Sequence, residues 1–152
     1  MSVQTGFRRA LLGLCLAALT ASATPALAHH AFAAEFDGKA PVLLKGKVTK
    51  VEWINPHTWI HMNAVGADGK TQEWMIEGGT PNTLLRTGIT RDTLKPGADI
   101  VVHGYQSKDR YCGPACKANG RDVTFPNGQK LFMGSSGTGA PRDGADPTEK
   151  PH

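Results

Sequence analysis

The chain has 152 residues, 39% of them hydrophobic and 20% charged, with a formal charge of +4. The only charged side chains before residue 29 are Arg8 and Arg9, so residues 29–152 carry +2, dispersed along the chain. That excludes the concentrated basic footprint of a nucleic-acid binder. About a hundred structured residues suffice for one small core and no more than one.

Residues 1–28 read as a secretory signal peptide. Arg8 and Arg9 precede an apolar run from Ala10 to Leu19, and Ala26-Leu27-Ala28 supplies an A-x-A cleavage site. The run is too short to span a bilayer, and no later run is longer. Cys15 lies inside the run behind Leu14, where a lipoprotein site would want a small residue, so it reads as leader filler. The arginine pair loosely fits a twin-arginine signal, but Phe7 precedes it, which favours ordinary secretion. The expected location is periplasmic or secreted, in a bacterium, with no transmembrane segment after cleavage.

Residues 29–41 form an arm. Phe32 and Phe36 are four apart, compatible with one helical turn or with an extended segment tucking both rings onto the domain, and 38–41 reads as a loop. Strand one is expected from Val42 to Ile54. Leu44, Gly46 and Val48 share one parity, Val51 and Trp53 the other, the signature of a β-bulge. Asn55-Pro56 marks a turn, because proline fixes φ and disfavours the helical region in the residue before it. Strand two, 58–65, alternates Ile60, Met62 and Ala64 against His57, Trp59, His61 and Asn63. The first set reads as core and the second as a wetter face.

A turn at Ala67-Asp68-Gly69 leads to strand three, 71–77, where Trp74 and Ile76 alternate with Glu73, Met75 and Glu77. Thr80-Pro81 opens a short helix through Arg86, with threonine at the cap and proline at the first position. A further turn is expected at 90–94. Lys95-Pro96-Gly97 leads into strand four, 99–105. Residues 106–120 read as a polar loop carrying Cys112 and Cys116. Arg121 to Phe125 and Lys130 to Met133 form a last hairpin around Asn127-Gly128. Residues 135–152 lack apolar periodicity and read as a disordered tail. The expected core includes Trp53, Ile60, Met62, Trp74, Ile76 and Val102.

Three meandering strands, a helix and further strands over 42–134 give a mostly β fold, a small OB-like antiparallel barrel with its helix between strands three and four. A different small antiparallel barrel or sandwich is the alternative. Several stretches together resemble one family. They are His29-His30-Ala31-Phe32-Ala33-Ala34-Glu35-Phe36, Gly46-Lys47-Val48 with Trp53, Asn55-Pro56-His57-Thr58-Trp59, Pro81 to Arg86, Leu94-Lys95-Pro96-Gly97 and Lys130 to Ser135. The family comprises small exported proteobacterial proteins catalogued as a domain of unknown function. The resemblance covers residues 28–136 and implies an exported OB-like barrel, with no activity, ligand or site residues to carry over. The Cys112–Cys116 segment departs from the family pattern.

Four constellations could carry chemistry. His57 and His61 have a metal-ligand spacing on a helix, but on a strand their Cα atoms are about 13 Å apart, too far to share one ion without a sharp bend. The competing reading has His57 order the turn beside Pro56 and His61 stack on Trp59. Met62, Met75 and Met133 could ligate copper(I), although methionine is also an ordinary core filler. Cys112 and Cys116, in an oxidising compartment, are expected to form a disulfide; a redox motif lacks its βαβ context, and zinc lacks two further ligands. Cleavage after Ala28 would leave His29 with a free amine and an imidazole, a copper(II) chelate that His30, His57, His61 or His103 would complete. No arrangement of residues argues for catalysis. The expected function is thus an exported binding or accessory protein with copper as candidate cofactor. The alternative is a metal-free barrel binding a peptide, glycan or partner protein on the face of His57, Trp59 and His61. Enzyme function ranks third.

Overall fold

A computed structural model describes residues 32–66 and 69–134. The expected signal peptide, His29, His30, most of the Ala67-Asp68-Gly69 turn and the expected disordered tail lie outside the described residues. In chain order the elements are β1 (Phe36–Glu52), β2 (Trp59–Val65), β3 (Thr71–Glu77), α1 (Pro81–Arg86), β4 (Asp99–Ser107), β5 (Cys116–Thr124) and β6 (Lys130–Phe132). Residues 32–35 add one helical turn ahead of β1.

The strands follow the order β3-β2-β1-β4-β5-β6, and β3 also pairs with β5. That last pairing, parallel and running Trp74↔Cys116 to Glu77↔Asn119, closes five strands into a ring. The ring with α1 between β3 and β4 is an OB-like barrel. Its interior is one apolar cluster: Leu44 and Val48 from β1, Ile60, Met62 and Ala64 from β2, Ile76 from β3, and Ile100, Val102 and Val123 from β4 and β5. Leu84 of α1, Ile89, Leu94 and Met133 fill the remaining space at 0–1% exposure, too little for any of the four to be reachable by a ligand. Met62 and Met133 are fully buried and Met75 half-buried, so two of the three methionines are core fillers.

The parity switch in β1 is a register shift between Val48 and Lys50. Gly46 sits just before it, paired with both Ala64 and Ile100. A Cβ there would lie 1.9 Å from the Asn63 carbonyl oxygen, so only glycine lets the two backbones meet. Thr80 caps α1, its hydroxyl accepting from the Thr83 N–H at 3.1 Å, and Pro81 opens the helix.

Several boundaries differ from the sequence expectation. β1 begins at Phe36 and absorbs 38–41, because β4 continues to Ser107 and offers a pairing edge, Phe36↔Ser107 and Pro41↔Tyr105, across another register shift. It ends at Glu52, not Ile54. The loop expected over 106–120 shrinks to 108–115, since Cys116 to Asn119 pair with β3 to close the barrel. Trp53 and Trp74 are only half-buried, packed against the core from its edge. Arg91 covers the exposed side of Trp53, 5.1 Å from the ring centroid.

The arm takes the helical turn over residues 32–35 rather than an extended path, and it still docks both rings. Phe32 and Phe36 are 5% and 2% exposed and pack with Tyr105 in a cluster separate from the barrel core. Their ring centroids are 5.7 Å apart, and Phe32 meets Tyr105 edge-on at 5.6 Å.

Candidate functional site

Side chains alternate across a strand, so the residues that do not enter the barrel form an outer face. On β2 and β3 the cross-strand pairs are Trp59↔Glu77, His61↔Met75 and Asn63↔Glu73. β1 adds Glu52 beside Trp59 and Lys50 beside His61, and β5 adds Asn119 beside Glu77 and Lys117 beside Met75. Two loops flank this face, 53–58 between β1 and β2 and 108–115 between β4 and β5. In OB barrels the face of strands two and three and these two loops are the usual ligand surface.

His57 and Glu77 meet at one end. His57 Nδ1 lies 3.4 Å from Glu77 Oε1 and 3.3 Å from the Gly78 carbonyl oxygen, so a proton on Nδ1 serves both acceptors. The Glu77 carboxyl is buried, and burial pushes its pKa above the ordinary glutamate value. His57, Lys117 and a hydrogen bond from the Asn119 amide oppose the rise, while Glu35 adds to it. Asn119 is 1% exposed, and among the described residues its Oδ1 has no hydrogen-bond partner. A buried acceptor left open costs free energy unless something donates to it.

The arm closes the same end. Lys117 pairs with Glu35 and holds its ammonium 5.1 Å from the Trp59 ring centroid and 5.6 Å from that of Phe36. Lys108 donates to the Ala33 carbonyl through its side chain and to that of Glu35 through its backbone, the latter at 2.9 Å. Arg110 donates to Asp37 at 2.6 Å. All three cations flank or belong to the 108–115 loop, which the Cys112–Cys116 disulfide ties to the start of β5.

The expected site residues separate into distinct surroundings. His61 does not share a site with His57: its Nε2 is 3.0 Å from Glu52 Oε1, and its Nδ1 faces Glu73 at 3.9 Å. These carboxylates engage its ring nitrogens. His103 sits on β4, opposite Leu43 and Asp122 and separated from β2 by β1. Among the described residues no three His, Cys, Asp or Glu side chains converge in a way that could hold a metal ion. Glu35, Phe36, Glu77, Lys117 and Asn119 join the site without having been singled out as site residues. The outward parity of Glu77 was legible in β3, whereas Lys117 and Asn119 fell in a stretch that reads locally as loop.

Residues 17–114 match a family of unknown function (DUF6152), more than half of the chain. The chain belongs to that family. The match takes in the arm, β1 to β4 and all but the last residue of the 108–115 loop, so Trp59, His57, Glu77 and Glu35 fall within the family region and Lys117 and Asn119 beyond it. No curated protein and no solved structure matches the chain. Among the described residues no helix is long and apolar enough to cross a membrane.

Proposed function

We propose that this member of the family is an exported binding module that takes its ligand on the outer face of β2 and β3, centred on Trp59. The observation that carries this reading is a half-buried indole set beside a polar pair, the half-buried His57 and the buried Glu77, with the unpartnered Asn119 acceptor on the strand next to Glu77. A half-exposed aromatic with a few convergent polar groups is the usual composition of a binding site. The disulfide and the signal-like leader support action outside the cytoplasm. The test is titration of the native chain with peptide and oligosaccharide panels, following the indole N–H resonances of all three tryptophans. Trp59 should respond while Trp53 and Trp74 stay silent, and Trp59→Ala should abolish binding. A ligand held equally well by Trp59→Ala would refute the reading.

A second reading, copper binding through His29, is favoured by the docked arm. Phe32 is anchored on the barrel, and three residues span at most about 10 Å, which would tether a mature terminus at His29 close to the domain. A chain beginning at His29 should bind copper(II) far more tightly than one with an extra methionine, which removes the free amine from His29. Equal affinities in calorimetry would eliminate the chelate.

A further inference from the structure

We propose that the Trp59 face is a cage for a primary ammonium on an aliphatic stem, the side chain of a lysine in a partner polypeptide, and that Lys117 fills this cage in the free protein. The inference rests on the reading of this face as the ligand surface. The groups named around the Lys117 ammonium are acceptors or ring faces. The Glu35 carboxylate pairs with it, the Trp59 and Phe36 rings flank it, and Glu77 acts on it electrostatically.

Charge and hydrogen bonding select the ligand class. An incoming anion would meet two carboxylates, Glu35 and Glu77. A neutral apolar group would leave the Glu35 carboxylate unanswered. A cation over two aromatic faces gains from both rings, and an aliphatic stem covers the half-buried Met75 beside them. Lys117 displays this mode of recognition within the chain, its side chain 26% exposed and its ammonium on both rings. An arriving ammonium takes the contacts that Lys117 leaves and Lys117 returns to water, but the arriving group also loses its free motion, so a bare lysine side chain competes only in large excess. Affinity and selectivity then come from what else the partner touches. Glu35 and Phe36 belong to the arm, so exchange at the cage is coupled to the arm's docking.

Chemical complementation tests the cage in the full chain. Lys117→Ala should shift the Trp59 indole N–H resonance, assigned by its loss in Trp59→Phe, and speed amide hydrogen exchange over residues 32–37. n-Butylammonium should reverse both changes saturably. n-Butanol should do so at least about tenfold more weakly, and n-butyrate not at all. Adding Glu35→Gln to Lys117→Ala should weaken the rescue several-fold. In the unaltered chain, Gly-Gly-Lys-Gly-Gly in large excess should move the Trp59 resonance and Gly-Gly-Glu-Gly-Gly at the same concentration should not, a measurement that needs no variant to fold. Equal rescue by butanol, no rescue by butylammonium, or an equal response to the glutamate peptide would overturn the ammonium cage. If an acidic peptide or a neutral oligosaccharide alone moves Trp59, the cage fails while the ligand face stands. If no ligand class moves it, both fail.

Discussion

Glu77 is the residue whose chemistry the fold alters most clearly. Its carboxyl is buried at the barrel surface, so the native state holds its proton more tightly than the unfolded chain does. The stability this proton contributes is fully present below the ordinary glutamate pKa and is lost as pH rises through the raised folded value. Glu77→Gln keeps the shape and removes the desolvated charge. It should therefore raise the Tm at pH 7 and flatten the fall in stability as pH rises through the raised folded value, both read from thermal melts across pH. A Tm lowered at neutral pH but not in acid would show that His57 and Lys117 stabilise the carboxylate by more than burial costs it. The tryptophans carry a different lesson. Alternation in β3 correctly turned Trp74 towards the core, yet its half-burial lowers the expected cost of Trp74→Ala to about 2–3 kcal/mol, below the ~3–5 kcal/mol of a fully enclosed ring. Ile76→Ala, at a site with no exposure, should cost about 2–5 kcal/mol despite the smaller side chain. Urea denaturation of the two variants makes the comparison, and a loss below about 1 kcal/mol for Trp74→Ala would break the register of β3.

At the scale of elements, β1 is the strand that makes the barrel possible. It pairs with β4 over most of its length and with β2 only from Gly46 onward, so one strand serves two neighbours across a bulge. Gly46→Ala should cost at least the ~1–3 kcal/mol typical of overpacking, because the obstructing atoms are backbone and cannot swing aside. An alanine variant as stable as the parent in urea would contradict the close approach of β1 and β2. The bulge itself was readable, since Leu44 and Val48 share a parity that Val51 and Trp53 reverse. The early start of β1 was not. Asp37 to Pro41 has a loop's composition, and it becomes strand because β4 runs on to Ser107 and presents free backbone groups opposite it. Arm docking is likewise a tertiary matter. Phe32 and Phe36 announced a pair, but Tyr105, Lys108, Arg110 and Lys117 were spread along later sequence.

For the molecule as a whole, the disulfide closes a loop of sequence separation 4, so constraint of the unfolded chain yields no more than about 2 kcal/mol in the entropic picture. The Cys112→Ser, Cys116→Ser double variant should fold with that modest loss. Its larger effect should be faster hydrogen exchange over residues 32–37, because the arm is gripped from both sides of the bridge. Unchanged exchange there would detach the bridge from the arm. What the sequence by itself determined depends on neighbours within a few residues: the strand alternation, the capped helix, the Asn-Gly turn, the cysteine pair and the mostly β class. These signals are local, because backbone preference and side-chain parity act over one turn or one strand. What only the tertiary structure decided is the closure of the ring and the make-up of the site. The parallel β3–β5 pairing joins segments about forty residues apart, and it alone sets Asn119 beside Glu77 and Lys117 beside Met75. Such a pairing is chosen by which edge remains free once the other strands have met, a competition among distant backbone groups that leaves no periodic mark on the chain.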